Sequence, residues 1–160
     1  MRVVLVAVIV AALTATGAAG RTAPGKGCTP GQTVTLVKRF VTAFNAGDRH
    51  ALNNELWGGK LYFNWYAVSA APGLRVDQEA RRRDSLMDYL AARHAAGEQL
   101  TLTSLEINGA DPGSRGFEFQ LLRAAADQAG GPVLYAGKGA ASCMTGRLTT
   151  WVMGVAPRRG

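Results

Sequence analysis

His94 is the residue of this sequence with the clearest capacity for acid–base chemistry. It follows Leu90 by four positions and continues the apolar stripe of a predicted helix, so its side chain is predicted to face inward. A buried imidazole can act as a general base near neutral pH. The alternative is a helix-end histidine that interacts favourably with the negative helix terminus beside Gly97.

Glu118 and Arg123 belong to one predicted strand and are the next candidates. Glu118 alternates with Phe117 and Phe119. If the aromatic rings face the helices, Glu118 faces solvent, and we favour this alternative. A shift of one residue in register would instead point the Glu118 side chain into a pocket. Arg123 shares the phase of the two phenylalanines. It is either an anion-binding group at a cavity mouth or an edge residue whose stem covers apolar surface.

Aromatic residues supply the remaining candidates for a binding site. Most are expected in the core, because aromatic side chains bury large areas. One or two are expected to line a pocket for an apolar or ring-bearing ligand. The predicted ligand-binding residues are Trp65, Tyr66, Phe119, Arg123 and Trp151. His94 and Glu118 are weak catalytic candidates, and no catalytic motif assigns a reaction to either.

Several common chemistries are excluded by the inventory of residues. Two His and two Cys without short ligand spacing do not form a zinc motif. Gly137-x-Gly139 lacks the Lys-Ser/Thr pair of a phosphate-binding loop. Ser142 does not lie in a nucleophile elbow. The sequence therefore predicts neither a metal nor a cofactor.

The first twenty residues have the layout of a cleavable secretory signal peptide. A single Arg2 precedes an apolar run over residues 3–13, and small residues follow it. That run is shorter than the roughly 17–25 residues that span a bilayer, although a retained anchor is the alternative. The mature protein is therefore predicted to be secreted or extracytoplasmic and not an integral membrane protein. Two cysteines in an exported chain predict one disulfide, Cys28–Cys143, with two free thiols as the alternative.

The charge balance agrees with this compartment. The net charge of +7 suits a nucleic-acid or membrane-surface partner, or only a soluble basic surface. We favour the basic surface, because the leader argues against nucleic acid. The run Arg81–Arg83 alternates with acids and is predicted to be a solvated helix face.

Helical spacing identifies the elements that must position these residues. Residues 21–32 are predicted to form a flexible arm, and Thr33 to cap a helix with an apolar stripe from Val34 to Phe44. Gly47 suits the end of that helix. Asp48 can then cap a second, short helix that buries its apolar residues, which are Leu52, Leu56 and Trp57.

Strands dominate the rest of the chain. Gly58-Gly59 is predicted to end the second helix, and Asp77 to cap a third helix within residues 75–97. The strand-like segments are residues 61–68, 100–107, 117–125, 133–143 and 148–155. Helices followed by a run of strands predict an α+β domain with an antiparallel sheet over residues 33–155, followed by a short basic tail at 156–160.

This order resembles the cone-shaped fold of the nuclear transport factor 2-like superfamily, which includes SnoaL-like cyclases and ketosteroid isomerases. The resemblance lies in residues 37–48, VKRFVTAFNAGD, in the strand at 63–67, and in the closing segments GKGAASC and RLTTWVMG. It implies a curved sheet wrapped around N-terminal helices, with an internal cavity. The superfamily hosts enzymes, binders and assembly domains, so the resemblance does not imply one function.

Three functional hypotheses follow. The leading one is a secreted or envelope-associated, non-enzymatic binding or structural module with a small hydrophobic pocket. Its partner would be a small apolar ligand. The first alternative is an exported isomerase- or cyclase-like enzyme that uses an acid or His94 in the pocket. The second is a homodimeric interaction module that uses the open sheet face near Tyr62 and Tyr66.

Overall fold

The computed structural model describes residues 29–65, 78–126, 128 and 130–156. The helical elements are α1 (Pro30–Ala46), a π-helical segment (Ala51–Leu56) and α2 (Arg83–Ala95). The strands are β1 (Trp57–Trp65), β2 (Gln78–Ala80), β3 (Gln99–Asp111), β4 (Ser114–Ala124), β5 (Val133–Ser142) and β6 (Leu148–Val155). The predicted signal peptide, the predicted cap Asp77 and the tail at 157–160 lie outside the described residues.

Helix α1 begins earlier than the sequence pattern indicates. The predicted cap Thr33 is wrong, because Thr33 is buried inside the helix. Thr29 is the N-cap instead: its hydroxyl accepts the Gln32 amide at 3.2 Å, and the Gln32 side chain accepts the Thr29 amide at 3.2 Å. Pro30 follows at the first helical position, where its missing N–H costs nothing. Pro30 lies within the predicted arm at 21–32 but starts the helix.

Each of the two long helices ends in a glycine turn, and the two turns are of the same type. At the end of α1, the Gly47 amide donates to Phe44 O and the Asp48 amide donates to Ala43 O, with Gly47 at φ 65°. The predicted role of Gly47 is confirmed, and the Asp48 carboxylate accepts the Ala51 amide at 2.9 Å as a cap. At the end of α2, Gly97 at φ 72° forms the equivalent turn.

The sheet has six strands in the order β2-β1-β6-β5-β4-β3 and is curved and unclosed. The α+β class is confirmed, and β3 to β6 form the expected antiparallel succession. One pairing departs from the predicted antiparallel sheet, because β1 runs parallel to β6. The sheet is therefore mixed.

Three local predictions differ from the structure. Gly58-Gly59 does not end a helix but lies inside β1, which starts at Trp57. The short strand β2 replaces part of the predicted third helix, because Ala80 pairs with Phe63 of β1. Residues 108–116, which separate the predicted strand segments 100–107 and 117–125, are mostly strand, since β3 and β4 continue to a tight turn.

The core lies between the helices and the concave face of the sheet, and aromatic rings dominate it. Phe40 of α1 contacts Trp57 edge-on at 5.7 Å between ring centroids and Trp151 at 4.6 Å. Trp151 also stacks on Phe119 with centroids 4.0 Å apart. On β1, Phe63 lies against Trp65 at 5.6 Å. All six of these aromatic side chains are almost fully buried, so they fill the face that the fold would otherwise use as a pocket wall.

Candidate functional site

One buried polar cluster lies at the junction of α2, β3 and β4, and the turn after α2 creates it. The Gly97 amide donates to His94 O, and the Glu98 amide donates to Arg93 O at 3.1 Å. This turn reverses the chain so that the Glu98 side chain folds back towards α2. Glu98 is fully buried, and it is the one buried carboxylate among the described residues.

Two arginines neutralise Glu98. Arg123 of β4 binds it with two hydrogen bonds, from Nε to Oε1 and from Nη2 to Oε2, each 2.7 Å long. Arg93 of α2 donates its Nε to Oε2. Burial opposes the charged form of Arg123, but the hydrogen bonds and charge of Glu98 prevail and raise the pKa of its guanidinium above the ordinary value. The carboxylate is therefore held as a structural counter-ion.

Aromatic and amide groups complete the environment of Arg123. Its third donor, Nη1, binds the Gln128 side chain at 2.9 Å. Its guanidinium lies 5.7 Å from the ring centroid of Tyr135, which is within the range of a cation–π contact. Tyr89 of α2 faces the same cluster. Burial, and next the negative charge of Glu98, raise the pKa of the Tyr89 phenol above its ordinary value.

The raised pKa of Tyr89 predicts how stability changes at high pH. The unfolded chain releases the phenolic proton near pH 10, whereas the folded protein keeps it to higher pH. The stabilising contribution is therefore complete below about pH 10 and declines as the pH rises towards the folded-state pKa. Urea titrations at pH 9 and pH 11 measure this decline. Between the two pH values, the free energy of unfolding should fall more for the wild type than for Tyr89→Phe. Equal losses in the two proteins would contradict this assignment.

A second feature is a cavity of about 160 Å³ between the helices, which is partly open to solvent. Every element that lines it is helical or belongs to the turn after α1, so it is separate from the concave face of the sheet. Its walls are mostly apolar, and its lining residues are Phe44, Gly47, Arg49, Leu52, Met87, Leu90, Ala91 and His94. At its edge, the Arg49 guanidinium contacts the Asp88 carboxylate at 3.3 Å.

His94 contributes a polar ring to the wall of this cavity. Its ring packs against Gly47: a Cβ atom at that glycine would come within 2.5 Å of the His94 Nε2 atom. His94 Nδ1 is buried and has no hydrogen-bond partner. Buried polar atoms are nearly always paired in folded proteins, so an orphan atom beside a cavity requires an explanation. The inward orientation predicted for His94 is consistent with this position.

The other predicted site residues are distributed over three environments. Glu118 is exposed on the outer face of β4, where it accepts a hydrogen bond from the Asn108 side chain at 3.2 Å; the solvent-facing alternative is confirmed. Trp65, Phe119 and Trp151 are buried among other rings. Tyr66 lies outside the described residues, so its predicted role is not addressed.

The sheet face near Tyr62 is partly covered. The Arg81 guanidinium lies 4.8 Å from the Tyr62 ring centroid, and Arg81 also pairs with Glu79 at 2.9 Å. The dimer alternative, which relies on this face, thus remains a prediction.

Within the described part of the chain, no group of three or more His, Cys, Asp or Glu residues is arranged to hold a metal ion. No helix in the same ranges is both long and apolar enough to cross a membrane.

The mixed sheet with helices on its concave face is the cystatin-like α+β fold of nuclear transport factor 2-like proteins. The chain is similar to a protein with a cystatin-like fold from Caulobacter vibrioides, with a TM-score of 0.64, 15% identity, and coverage of 79% of this chain and 89% of that one. It is also similar to a nuclear transport factor 2-like protein from Novosphingobium aromaticivorans, with a TM-score of 0.58, 16% identity, and coverage of 81% of this chain and 82% of that one.

An LEH-like epoxide hydrolase of M. tuberculosis has the same fold, with a TM-score of 0.50, 16% identity, and coverage of 79% of each chain. The sequence matches no protein-family model, and no curated protein is significantly similar to it. At these identities the comparisons show the fold alone, so function must be argued from the geometry of the sites.

Proposed function

We propose that this chain is an exported, non-catalytic binding module, and that its small hydrophobic pocket is the cavity between the helices. The observation that carries the proposal is the state of Glu98. An acid that serves as a general base must reach the substrate proton that it abstracts. Glu98 is instead buried and saturated by Arg93 and Arg123, so the acid best placed in the interior has a structural role.

The aromatic interior supports the same proposal. Enzymes need room for a substrate beside the catalytic group, whereas here Trp151 stacks directly on Phe119 and contacts Phe40. The enzyme alternative is favoured by several fold relatives, among them proteins described as isomerases from Agrobacterium tumefaciens and Bacillus subtilis and the LEH-like epoxide hydrolase. In this chain that alternative would depend on His94, which lies in the helix cavity and has no acid partner among the described residues at its Nδ1 atom.

Export is part of the proposal, and the position of Cys143 supports it. Cys143 is buried at the end of β5, and its amide donates to Gly113 O at 2.8 Å. The turn that follows it, Thr145-Gly146, borders the same surface depression as the first turn of α1. Cys28 directly precedes Thr29, the cap of that helix, but itself lies outside the described residues. A Cys28–Cys143 disulfide would close about 115 residues and stabilise the fold by roughly 4–5 kcal/mol.

Native mass spectrometry of protein expressed with its leader and purified from the exported fraction tests the proposal. We expect a mature chain that lacks about the first twenty residues, a mass two hydrogens below that of the reduced chain, and a small molecule released unchanged on activation. Peptide mapping without reductant should recover Cys28 and Cys143 in one linked pair. Both cysteines recovered as free thiols would contradict the disulfide.

The same preparation separates the binding module from the enzyme alternative. The released molecule is added back to wild type and to His94→Leu, and its chemical identity is followed. Recovery of the unchanged molecule from both proteins supports a binding role. Conversion to a new species by wild type but not by His94→Leu would overturn it in favour of the enzyme. A chain that carries no molecule and binds none from a fragment set would also overturn it.

A further inference from the structure

Strand β3 forms one edge of the described sheet, so one side of its backbone has no strand partner there. Asn45 of α1 covers the start of this edge: its side chain donates to Leu100 O and accepts the Leu100 amide, each at 2.8 Å. Beyond that contact, the backbone of residues 101–107 makes no hydrogen bond with a described residue outside the β3–β4 ladder. An open edge of this kind can pair with a further strand.

A groove of about 290 Å³, open to solvent, runs between this edge and helix α1. Its lining residues are Val34, Lys38, Leu102, Thr103, Ser104 and Leu105. The apolar members of this set are half-buried, so each still exposes apolar surface to the groove. In strand addition, backbone hydrogen bonds to a sheet edge give affinity, and pockets for alternate side chains give specificity. The β3 edge and the groove beside it supply both.

Two β-bulges limit the part of the edge that can pair regularly. The β3–β4 register shifts between Leu102 and Ser104 and again between Ile107 and Ala110. Because a bulge twists its strand and interrupts the ladder, the regular stretch is Ser104–Ile107. An added strand would therefore be short, and its affinity would depend on its side chains as well as on its backbone.

Two charged side chains define the chemistry of that added strand. Lys38 is exposed, lines the groove from α1 and makes no ion pair with a described residue. Glu106 is exposed on the outer face of β3, and within the described ranges it also has no ion pair. It lies directly opposite Glu118, and like charges in that position repel each other. An acid facing α1 and a base facing outward would compensate Lys38 and Glu106.

The alternation of side chains along a strand allows both charges on one short segment. Successive residues point to opposite faces, so an acid and a base at neighbouring positions satisfy the two requirements. A second copy of this chain satisfies neither. Strand β3 contains no Lys or Arg to place opposite Glu106, and pairing of two β3 edges would add a second Lys38 to the same interface.

We infer that the groove between α1 and the Ser104–Ile107 edge of β3 binds an extended segment of another protein by strand addition. This segment carries an acid towards Lys38 and a base opposite Glu106. The groove shares no lining residue with the helix cavity, so the inference goes beyond the proposed function and does not depend on it.

Two acetylated and amidated heptapeptides of identical composition test the charge arrangement. In Thr-Val-Lys-Glu-Thr-Val-Thr the acid shares one face of the strand with both valines, and the lysine lies on the other face. In Thr-Val-Glu-Lys-Thr-Val-Thr the two charges are exchanged. Added to ¹⁵N-labelled protein at low salt, the first peptide should shift the amides of residues 102–107 and bind about fivefold more tightly, as expected for two exposed ion pairs. Equal affinities would overturn the inference.

N-methylation of the two central residues of the first peptide tests whether its backbone pairs. Neighbouring amides of a strand point to opposite edges, so one of the two methyl groups blocks the bonding edge in either orientation. The side chains are unchanged. The methylated peptide should shift no amide of β3, and binding as tight as that of the parent peptide would rule out strand addition.

Lys38→Glu and Lys60→Glu are matched variants that test the location. Lys38 borders the groove, whereas Lys60 is exposed on β1, near the opposite edge of the sheet. In Lys38→Glu the preference for the first peptide should disappear, because each peptide then makes one favourable and one unfavourable charge contact. Lys60→Glu should keep the fivefold preference. A preference that survives in Lys38→Glu would contradict the assigned role of Lys38.

The same spectra distinguish other occupants and other sites. Shifts of the 102–107 amides that depend on protein concentration, without peptide, would identify a second copy as the occupant and overturn the inference. The amides of Leu52 and Met87 report on the helix cavity, and the peptides should leave them unshifted. Peptide shifts confined to those two amides would place the segment in the cavity and overturn this inference while leaving the proposed function standing.

Discussion

Glu98→Gln should lower the free energy of unfolding by about 3–5 kcal/mol, which is typical when one partner of a buried ion pair is removed. The substitution keeps the size of the side chain and removes its charge. Arg123, which is fully buried, then loses the charged acceptor of two 2.7 Å hydrogen bonds, and Arg93 loses the acceptor of its Nε. Two buried guanidinium groups without that counter-ion account for the size of the loss.

Glu55→Gln is the matched control for Glu98→Gln. Glu55 pairs with Arg39 on the surface, and the two side chains are 46% and 53% exposed. Surface pairs of this kind contribute about 0–1 kcal/mol, so the control should unfold at nearly the wild-type urea concentration. Urea unfolding followed by tryptophan fluorescence measures both variants. Similar, small losses in the two would show that Glu98 is not the counter-ion of a buried pair.

Gly137→Ala should be one of the two most damaging glycine-to-alanine substitutions in the sheet, with a loss of about 3 kcal/mol, the upper end of the range for overpacking. A Cβ atom at this position would lie 2.4 Å from the Phe119 ring and 2.4 Å from Val152 O. The ring is fixed by its stack on Trp151, and the carbonyl belongs to the neighbouring strand. Neither neighbour can move without separating β5 from β6 or breaking the stack.

Gly139 and Gly154 provide the comparison. Gly139 repeats the arrangement two residues along β5, with a Cβ position 2.4 Å from Phe117 and 2.5 Å from Thr150 O, so Gly139→Ala should cost a similar amount. At Gly154 of β6 a Cβ atom would meet nothing within 4 Å. Gly154→Ala should be neutral or mildly stabilising, because alanine lowers the backbone entropy of the unfolded chain. Urea titrations that rank the three variants equally would contradict the packing argument.

Gly137 and Gly139 explain why aromatic rings can fill the concave face. In a sheet, side chains at directly opposed positions share one face, and Phe119 opposes Gly137 in the pairing of β4 with β5. The ring therefore lies over the space that the glycine leaves free, and Trp151 covers it from β6. The same pattern recurs for Phe117 and Gly139. Sequence inspection interpreted Gly137-x-Gly139 as a poor phosphate loop and did not identify this packing role.

The parts of the fold that follow from local sequence were predicted well. Strand β6 matches the predicted bounds, since an apolar, β-branched run stands between a glycine turn and the tail. Gly47 and Asp48 also act as predicted, because helix termination and capping depend on neighbours within a few residues. Pairing over long distances was not predictable in this way. β2 exists because it pairs with β1, and the parallel contact of β1 with β6 has no local signal.

The candidate sites show the same division. His94 was identified because helical periodicity places it on the apolar face of α2. Arg123 was identified from its phase in β4, but its partner was missed. Glu98 stands between Gly97 and β3, in no periodic segment, and it approaches Arg123 only when Leu100 pairs with that residue. The glycine turn after α2 was the one available signal, because it directs the next side chain back towards the helix.

The position of β1 has a consequence for the order in which the chain can fold. Among the described strands, β1 pairs with the three-residue β2 and, in parallel, with β6 at the other end of the sequence. Contacts between residues so far apart carry a large loop-closure cost and slow folding. The β3–β6 meander can assemble from neighbouring hairpins, but Trp57, Phe63 and Trp65 reach their places only after the last strand has emerged. A chain that crosses a membrane unfolded would thus complete its core at the end of translocation.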